Sequence, residues 1–244
     1  MSKTLMTISN VSKSFGEVEA LREISLEIKS GEVVGLVGSN GAGKTTLLRL
    51  MSGVYKPTKG TVCLDDGTPV DKMRQRLGVV PESTGLYSRL TAWENIRYHS
   101  RMHGVSDDDS WSRTSKFARH LDMLDNLGRH TKGFSRGMKQ KTALLRALAH
   151  GPSVLLLDEP TASLDPETGD FVRSFLENYQ KEREASILLA SHNMAEVERL
   201  CSSVFMMRNG SIIDQDSPKE LIKKHGRKNL EEVFLKLTRE SYES

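Results

Sequence analysis

The sequence predicts an α/β fold with a mostly parallel sheet and an inserted helical lobe, and three observations carry that expectation. Apolar, β-branched strands recur along the chain with helical stretches between several of them. One strand, Val33 to Val37, runs directly into Gly38-Ser39-Asn40-Gly41-Ala42-Gly43-Lys44-Thr45, after which Leu47, Leu50 and Met51 recur at helical spacing. From about residue 89 to 133 the alternation stops, β-branched runs are lacking, and patches such as Phe117, Leu121 and Leu124 are helical in spacing.

In chain order, Ile24, Leu26 and Ile28 alternate with Ser25, Glu27 and Lys29, as in a half-buried strand, and Lys29-Ser30-Gly31-Glu32 closes it with a turn. Further buried strands are expected at Leu77 to Val80, Val154 to Leu157, Ile187 to Ala190 and Val204 to Met207. Asn209-Gly210 is a hairpin-type pair, and Ser217-Pro218-Lys219-Glu220 supplies an N-cap, a proline at N1 and a capping-box glutamate for a short C-terminal helical tail. There Leu230, Val233, Phe234 and Leu237 form one apolar stripe, of the kind that docks on its own domain. The expected division is a core of residues 1–88 and 134–216, a helical lobe of 89–133 and a tail of 217–244.

Of the 244 residues, 37% are hydrophobic and 27% charged, a balance that supports a sizeable core. Thirty-five basic against 32 acidic residues leave a formal charge of +3, too small a surplus to mark a nucleic-acid footprint, so no nucleic-acid partner is expected. Cys63 and Cys201 lie far apart without CxxC or Cys/His spacing, which suggests buried, reduced thiols and neither a disulfide framework nor a zinc site. Met1 to Met6 carries no basic region followed by an apolar one, and no later apolar run approaches the roughly 18 residues that would cross a bilayer. A cytoplasmic protein is expected; if it serves transport, another chain must supply the membrane passage.

The match to G-x-x-x-x-G-K-[ST] is complete at Gly38, Gly43, Lys44 and Thr45. Glycines let backbone N–H groups turn inward and, with the helix start after Gly43, form a nest for phosphate oxygens; Lys44 reaches the β- and γ-phosphates and Thr45 ligates magnesium. The candidate nucleotide-binding run is therefore Gly38, Ser39, Asn40, Gly41, Ala42, Gly43, Lys44, Thr45 and Thr46, with ATP and Mg2+ as the expected ligands. Val154 to Leu157 delivers Asp158 and Glu159 to the C-terminal end of a buried strand, where ligands of open α/β sheets collect. Asp158 would hold magnesium directly or through water, and Glu159 could polarise an attacking water as a general base. Such a pair could also merely cap a strand in solvent.

Phe134-Ser135-Arg136-Gly137-Met138-Lys139-Gln140 stands ahead of a further helix, with Ser135 a natural N-cap. A hydroxyl and the free N–H groups of a helix start make a second phosphate site, and since the first site already serves its own nucleotide, binding in trans is the economical inference. This segment resembles the LSGGQ-type signature of ABC cassettes. The resemblance covers nearly the whole chain and implies a P-loop NTPase core with antiparallel β elements at its N-terminal edge. It also implies an ATP-closed homodimer in which Ser135, Arg136 and Gly137 meet the partner's nucleotide. Phe15 takes the adenine-stacking position in place of the usual tyrosine, Ser163-Leu164-Asp165 the D-loop, and His192 the switch histidine, catalytic together with Glu159 and Lys44. Taken alone, Phe15 would sooner read as a core residue, and so would His192 if Asp158 and Glu159 were absent.

Two departures narrow the branch. Glu82 in Val80-Pro81-Glu82 replaces the usual glutamine, where a carboxylate can still ligate magnesium, and Arg136 replaces a signature glycine and brings a cation near the incoming phosphate. Pro81-Glu82, Gly85-Leu86-Tyr87, Leu90-Thr91, Glu94-Asn95, the signature and Asn229-Leu230-Glu231-Glu232-Val233-Phe234-Leu235 resemble ATP-binding subunits of the ABC-2 type, which include sodium-efflux and drug-resistance exporters. That resemblance implies the ATPase subunit of an exporter, peripheral on the inner face of the membrane through an integral membrane permease on another chain. The alternatives are a soluble ABC ATPase acting on nucleic acid or the ribosome, and the motor of an importer. One P-loop, a short insert and a near-neutral charge speak against the first; a P-loop kinase would leave Ser135-Arg136-Gly137 without a role.

Overall fold

A computed structural model describes residues 3–70, 74–162 and 164–239. In chain order the elements are β1 (Thr4–Phe15), β2 (Val18–Lys29), β3 (Val33–Val37), α1 (Lys44–Met51), β4 (Lys59–Leu64), β5 (Leu77–Val80), α2 (Ala92–Met102), α3 (Asp107–His120) and α4 (Arg136–Leu148). They continue with β6 (Val154–Asp158), α5 (Pro166–Arg183), β7 (Ser186–Ser191), α6 (Met194–Leu200), β8 (Ser203–Arg208), β9 (Ser211–Asp216), α7 (Pro218–His225) and α8 (Leu230–Arg239). The chain divides into two compact units, Met1–Met73 with Ser186–Ser244, and Arg74–Ala185.

In the first unit, β2, β1 and β4 form an antiparallel sheet with β1 in the centre. The alternation read in β2 is realised: Ile24, Leu26 and Ile28 are buried and their intervening neighbours exposed. β3 pairs in parallel with β7 on one side and β8 on the other, and β9 returns antiparallel along β8 through the Asn209-Gly210 turn. Both turn residues have positive φ, 47° and 79°, as the tight hairpin requires. Val34, Leu36, Leu188, Leu189 and Val204 are buried, the composition of strands covered on both faces. Ser217 caps α7 by accepting from the amide of Glu220, with Pro218 at the first turn. In α8, Leu230 and Val233 are fully buried and the Leu230 amide donates to Glu198 of α6, so the tail stripe docks within its own unit. Cys201 is buried, whereas Cys63, expected buried, is only half-buried because β4 is an edge strand.

In the second unit, β5 and β6 pair in parallel, Val80 opposite Leu157. Thr91 and Glu94 form a complete capping box at the start of α2, and Ser106 caps α3 with three aspartates in its first turn. Ile96, Leu121, Leu145 and Leu148 fill the space between these helices, and Phe117, Phe175 and Tyr179 meet as an aromatic cluster between α3 and α5. Where sequence pattern predicts a helical lobe, residues 89–133 form α2, α3 and two short 3-10 turns. No described helix is long and apolar enough to cross a membrane.

Candidate functional site

In the first unit, the parallel register sets Val37 opposite Ser191, so the glycine loop leaving β3 and His192 leaving β7 emerge at neighbouring strand ends. Gly43 precedes α1 with φ 104°, and a Cβ there would lie 2.7 Å from Leu21 Cδ2 and 2.9 Å from the Ala20 carbonyl oxygen. Gly38 is equally obligatory, since its Cβ would come 2.6 Å from the Met207 carbonyl oxygen. No side chain caps α1 and its first turn has no acidic residue, which leaves the helix start suited to an anion. The Lys44 ammonium is buried and folds back on its own loop, donating to the carbonyls of Gly38 at 2.7 Å and Ser39 at 3.2 Å. Ser39, Asn40 and Gly41 are exposed, Ala42 buried, and Thr45 and Thr46 half-buried. These glycines and donors fit a nucleotide's phosphates.

His192 is exposed at the start of a wired loop: Ser191 Oγ donates to Glu196 Oε2 at 2.8 Å, and Asn193 caps α6 by accepting from the Glu196 amide at 3.1 Å. Phe15 is 45% exposed and has company that sequence reading missed. Tyr55 packs edge-on against it with ring centroids 5.3 Å apart, Lys13 Nζ lies 5.0 Å from the Phe15 centroid, and Arg49 donates to the Tyr55 hydroxyl at 3.0 Å. No motif links Phe15 to Tyr55; only the β-sheet and the turn after α1 bring them together.

In the second unit, the register of β5 and β6 brings the loop bearing Glu82 beside Asp158 and Glu159. Asp158 ends a fully buried strand, and Glu159 adopts φ 52°, the left-handed region that costs a non-glycine residue on the order of 1 kcal/mol. Glu82, Arg136, Lys139, Gln140 and Glu159 line one cavity of about 410 Å³, so two carboxylates and two cations that are distant in sequence share a site. Ser135 Oγ caps α4 by accepting from the Met138 amide at 3.2 Å, and Gly137 packs so tightly on α5 that a Cβ would lie 2.9 Å from Thr168 Cγ2. Asp165 is exposed and caps α5, accepting from the Thr168 amide at 2.9 Å; that hydrogen bond holds its carboxyl below the usual carboxylate range. Ser163, also expected in the D-loop, lies outside the described residues.

Among the described residues no cluster of three or more His, Cys, Asp or Glu side chains could hold a metal ion. The hydroxyl of Thr45 in the first unit and, in the second, the carboxylates of Asp158 and Glu82 are each hard oxygen donors, the ligand type that an ion such as Mg2+ takes.

Known proteins resemble this chain in sequence and fold. The ABC transporter family matches residues 21–162. The ABC transporter ATP-binding protein NatA of Bacillus subtilis (strain 168) is 37% identical over 239 residues, covering 95% of this chain and 97% of the relative. A methionine import ATP-binding protein, MetN 1 of Bacillus cereus, is 36% identical; the match covers 89% of this chain but 66% of that longer relative. Among solved structures, an ATP-binding subunit of an ABC transporter superposes with a TM-score of 0.87 at 28% identity over 96% of this chain and 99% of the other. A dimeric ATP-binding cassette in a post-hydrolysis state, bound to ADP and Pi, gives 0.80 at 26% identity over 87% and 98%. The chain belongs to the ABC transporter family, as an ATP-binding cassette that hydrolyses ATP and serves as the ATP-binding subunit of a transporter.

Proposed function

We propose that this cassette is the motor of an ABC-2 type exporter, working as a homodimer that closes on ATP and drives an integral membrane permease carried on another chain. The reading rests first on the tail segment Asn229-Leu230-Glu231-Glu232-Val233-Phe234-Leu235, which resembles that branch, with Pro81-Glu82 and the Ser135-Arg136-Gly137 signature agreeing. Within it residues 1–88 and 134–216 form the nucleotide-binding core, 89–133 the helical lobe and 217–244 the tail, and the Gly85 to Asn95 region, where core and lobe join, receives the permease. The subunit then works on the cytoplasmic face, held there by its partner.

Phe15 stacks on adenine. Residues 38–46 cradle the phosphates, with Lys44 turning from its own carbonyls to the β- and γ-phosphate oxygens. Thr45 and Asp158, with Glu82 nearby, hold Mg2+, which supplies positive charge to those oxygens when bound. Glu159 accepts a proton from the attacking water, and His192 and Asp165 sense the γ-phosphate and the dimer interface. Ser135, Arg136 and Gly137 close on the nucleotide of the partner cassette, where Arg136 adds a cation that the usual glycine cannot supply.

Import is the second reading, favoured by the relatives named as methionine import proteins. The two separate on what co-purifies when the tagged subunit, expressed from its native locus, is extracted from membranes in mild detergent. Export predicts a stoichiometric permease with several long apolar segments and no substrate-binding protein. A substrate-binding protein in the complex would decide for import, and recovery only with ribosomes or nucleic acid would end the transport assignment.

A further inference from the structure

The segment from Pro81 to Thr91 has no regular structure, and backbone amides take only some of its carbonyls: Leu90 donates to Tyr87, Lys132 to Ser88, Thr131 to Leu90 and Asn95 to Thr91. Three buried side chains supply further donors. Asn95, fully buried in α2, donates to the carbonyls of Tyr87 at 3.1 Å and Thr91 at 2.9 Å, and accepts from the Tyr87 amide at 2.8 Å. Thr131 donates its hydroxyl to the Tyr87 carbonyl at 3.0 Å. At the other end of the segment, Arg146 of α4 donates through Nη2 to the Thr84 carbonyl at 2.7 Å and through Nη1 to the Gly85 carbonyl at 3.2 Å.

Arg146 is 7% exposed, and burial lowers its pKa from the ordinary arginine value. Burying a guanidinium costs several kcal/mol unless its donors are used. Here both terminal nitrogens are spent on two successive carbonyls, a fork that an ammonium cannot match. Those carbonyls lie two and three residues beyond Glu82, and Glu82 and Thr84 line the same cavity as Glu159. Arg146 also sits ten residues after Arg136, on the helix that Ser135 opens.

We propose that Arg146 is a positioning residue for hydrolysis: its fork fixes the Thr84-Gly85 backbone and thereby holds Glu82 across the cavity from Glu159. The helix that begins at the trans-acting signature then sets where Glu82 lies, and a shift of α4 on dimer closure moves Glu82 with it. This rests on the role given to Glu82 above. The nucleotide-contacting residues of the first unit are untouched by it, so the expected signature is in turnover and not in ATP affinity.

A mutant cycle on the purified full chain tests this, with kcat, KM for ATP and melting temperature measured for Glu82→Ala, Arg146→Met, Arg146→Lys and both double variants. Arg146→Met should lower kcat about tenfold and Arg146→Lys, which keeps a cation but not the planar two-nitrogen fork, about threefold, with KM within about twofold of the wild type. In the Glu82→Ala background either arginine change should cost less than about twofold more, because the group it positions is gone. If Arg146→Met does not fold, the lysine variant and its double carry the test. Losses that multiply in the double variants would overturn the positioning role while leaving Glu82 in the site. A silent Glu82→Ala would remove both the role of Glu82 and the proposal built on it.

Discussion

The amide of Gly210, in the β8–β9 turn, donates to the carbonyl of Ala42 in the phosphate loop at 3.1 Å, while the Gly210 carbonyl accepts from the Arg22 amide of β2 at 2.8 Å. The turn is thus a brace between the antiparallel sheet and the loop that would cradle phosphates. With φ 79° and a hypothetical Cβ 2.7 Å from the Ala20 carbonyl oxygen, position 210 accepts only glycine without movement. Gly210→Ala should weaken ATP binding about tenfold in isothermal titration, roughly 1.4 kcal/mol. Gly226→Ala, also at positive φ but facing open space, is the control and should bind normally. Equal affinities for the two variants would remove the brace.

Tyr55 holds Phe15 edge-on and is itself held by Arg49. Losing such an aromatic pair costs about 0.5–1.5 kcal/mol, so Tyr55→Ala should raise the Kd for ATP about three- to tenfold without changing turnover at saturation. Tyr55→Phe, which loses only the hydroxyl bond to Arg49, should fall between. Wild-type affinity in Tyr55→Ala would mean that Phe15 needs no support, or does not meet the base.

Glu159, proposed above as the general base, has a left-handed backbone. Glu159→Gln should reduce turnover about a hundredfold or more and accumulate an ATP-bound dimer by size-exclusion chromatography. Among variants lacking the side chain, Glu159→Gly should melt higher than Glu159→Ala by about 2–4 °C, since glycine relieves about 1 kcal/mol of backbone cost. Turnover retained in Glu159→Gln would exclude it as the base.

His99 and His150 both have pKa values lowered to about 4, first by burial and then by Arg146 and His103 for His99, and by His103 for His150. His150 stacks on His103 with centroids 4.0 Å apart, and its Nε2 lies 3.0 Å from the Leu77 carbonyl oxygen. The fold therefore prefers the neutral rings. A base with a depressed folded pKa contributes its stability in full above the unfolded value of 6.5, and that contribution is lost as pH falls toward 4. Discounted for partial exposure, this is on the order of 1 kcal/mol per ring. His150→Gln, which keeps a donor for Leu77, should recover about 2–4 °C of the fall in melting temperature between about pH 7 and pH 5. An unchanged fall would place the acid sensitivity elsewhere.

Local chemistry made much of this chain readable before any fold was known. The order of β3, glycine loop and α1 follows from β-branched residues, from glycines that alone accept the loop's approach to Met207 and Leu21, and from helical spacing after Lys44. Ser135 and Ser217 announced their helices because a cap is satisfied within four residues; the Thr91 cap of α2 went unread. Strands β1 and β4 passed unread one by one: β1 takes its register from two partners with several shifts, and that pairing is a property of the sheet.

What only the tertiary structure decided are the encounters between residues far apart in the chain. Tyr55 meets Phe15, Gly210 meets Ala42, Arg146 meets Thr84 and Gly85, and Glu82 shares a cavity with Arg136 and Glu159. None of these pairs has a spacing that a helix or strand period could reveal, because parallel strands joined by helices bring together loops that are tens of residues apart. A buried polar side chain such as Arg146 is legible only when its partners are seen: its cost is set by the sequence, and its compensation by the fold.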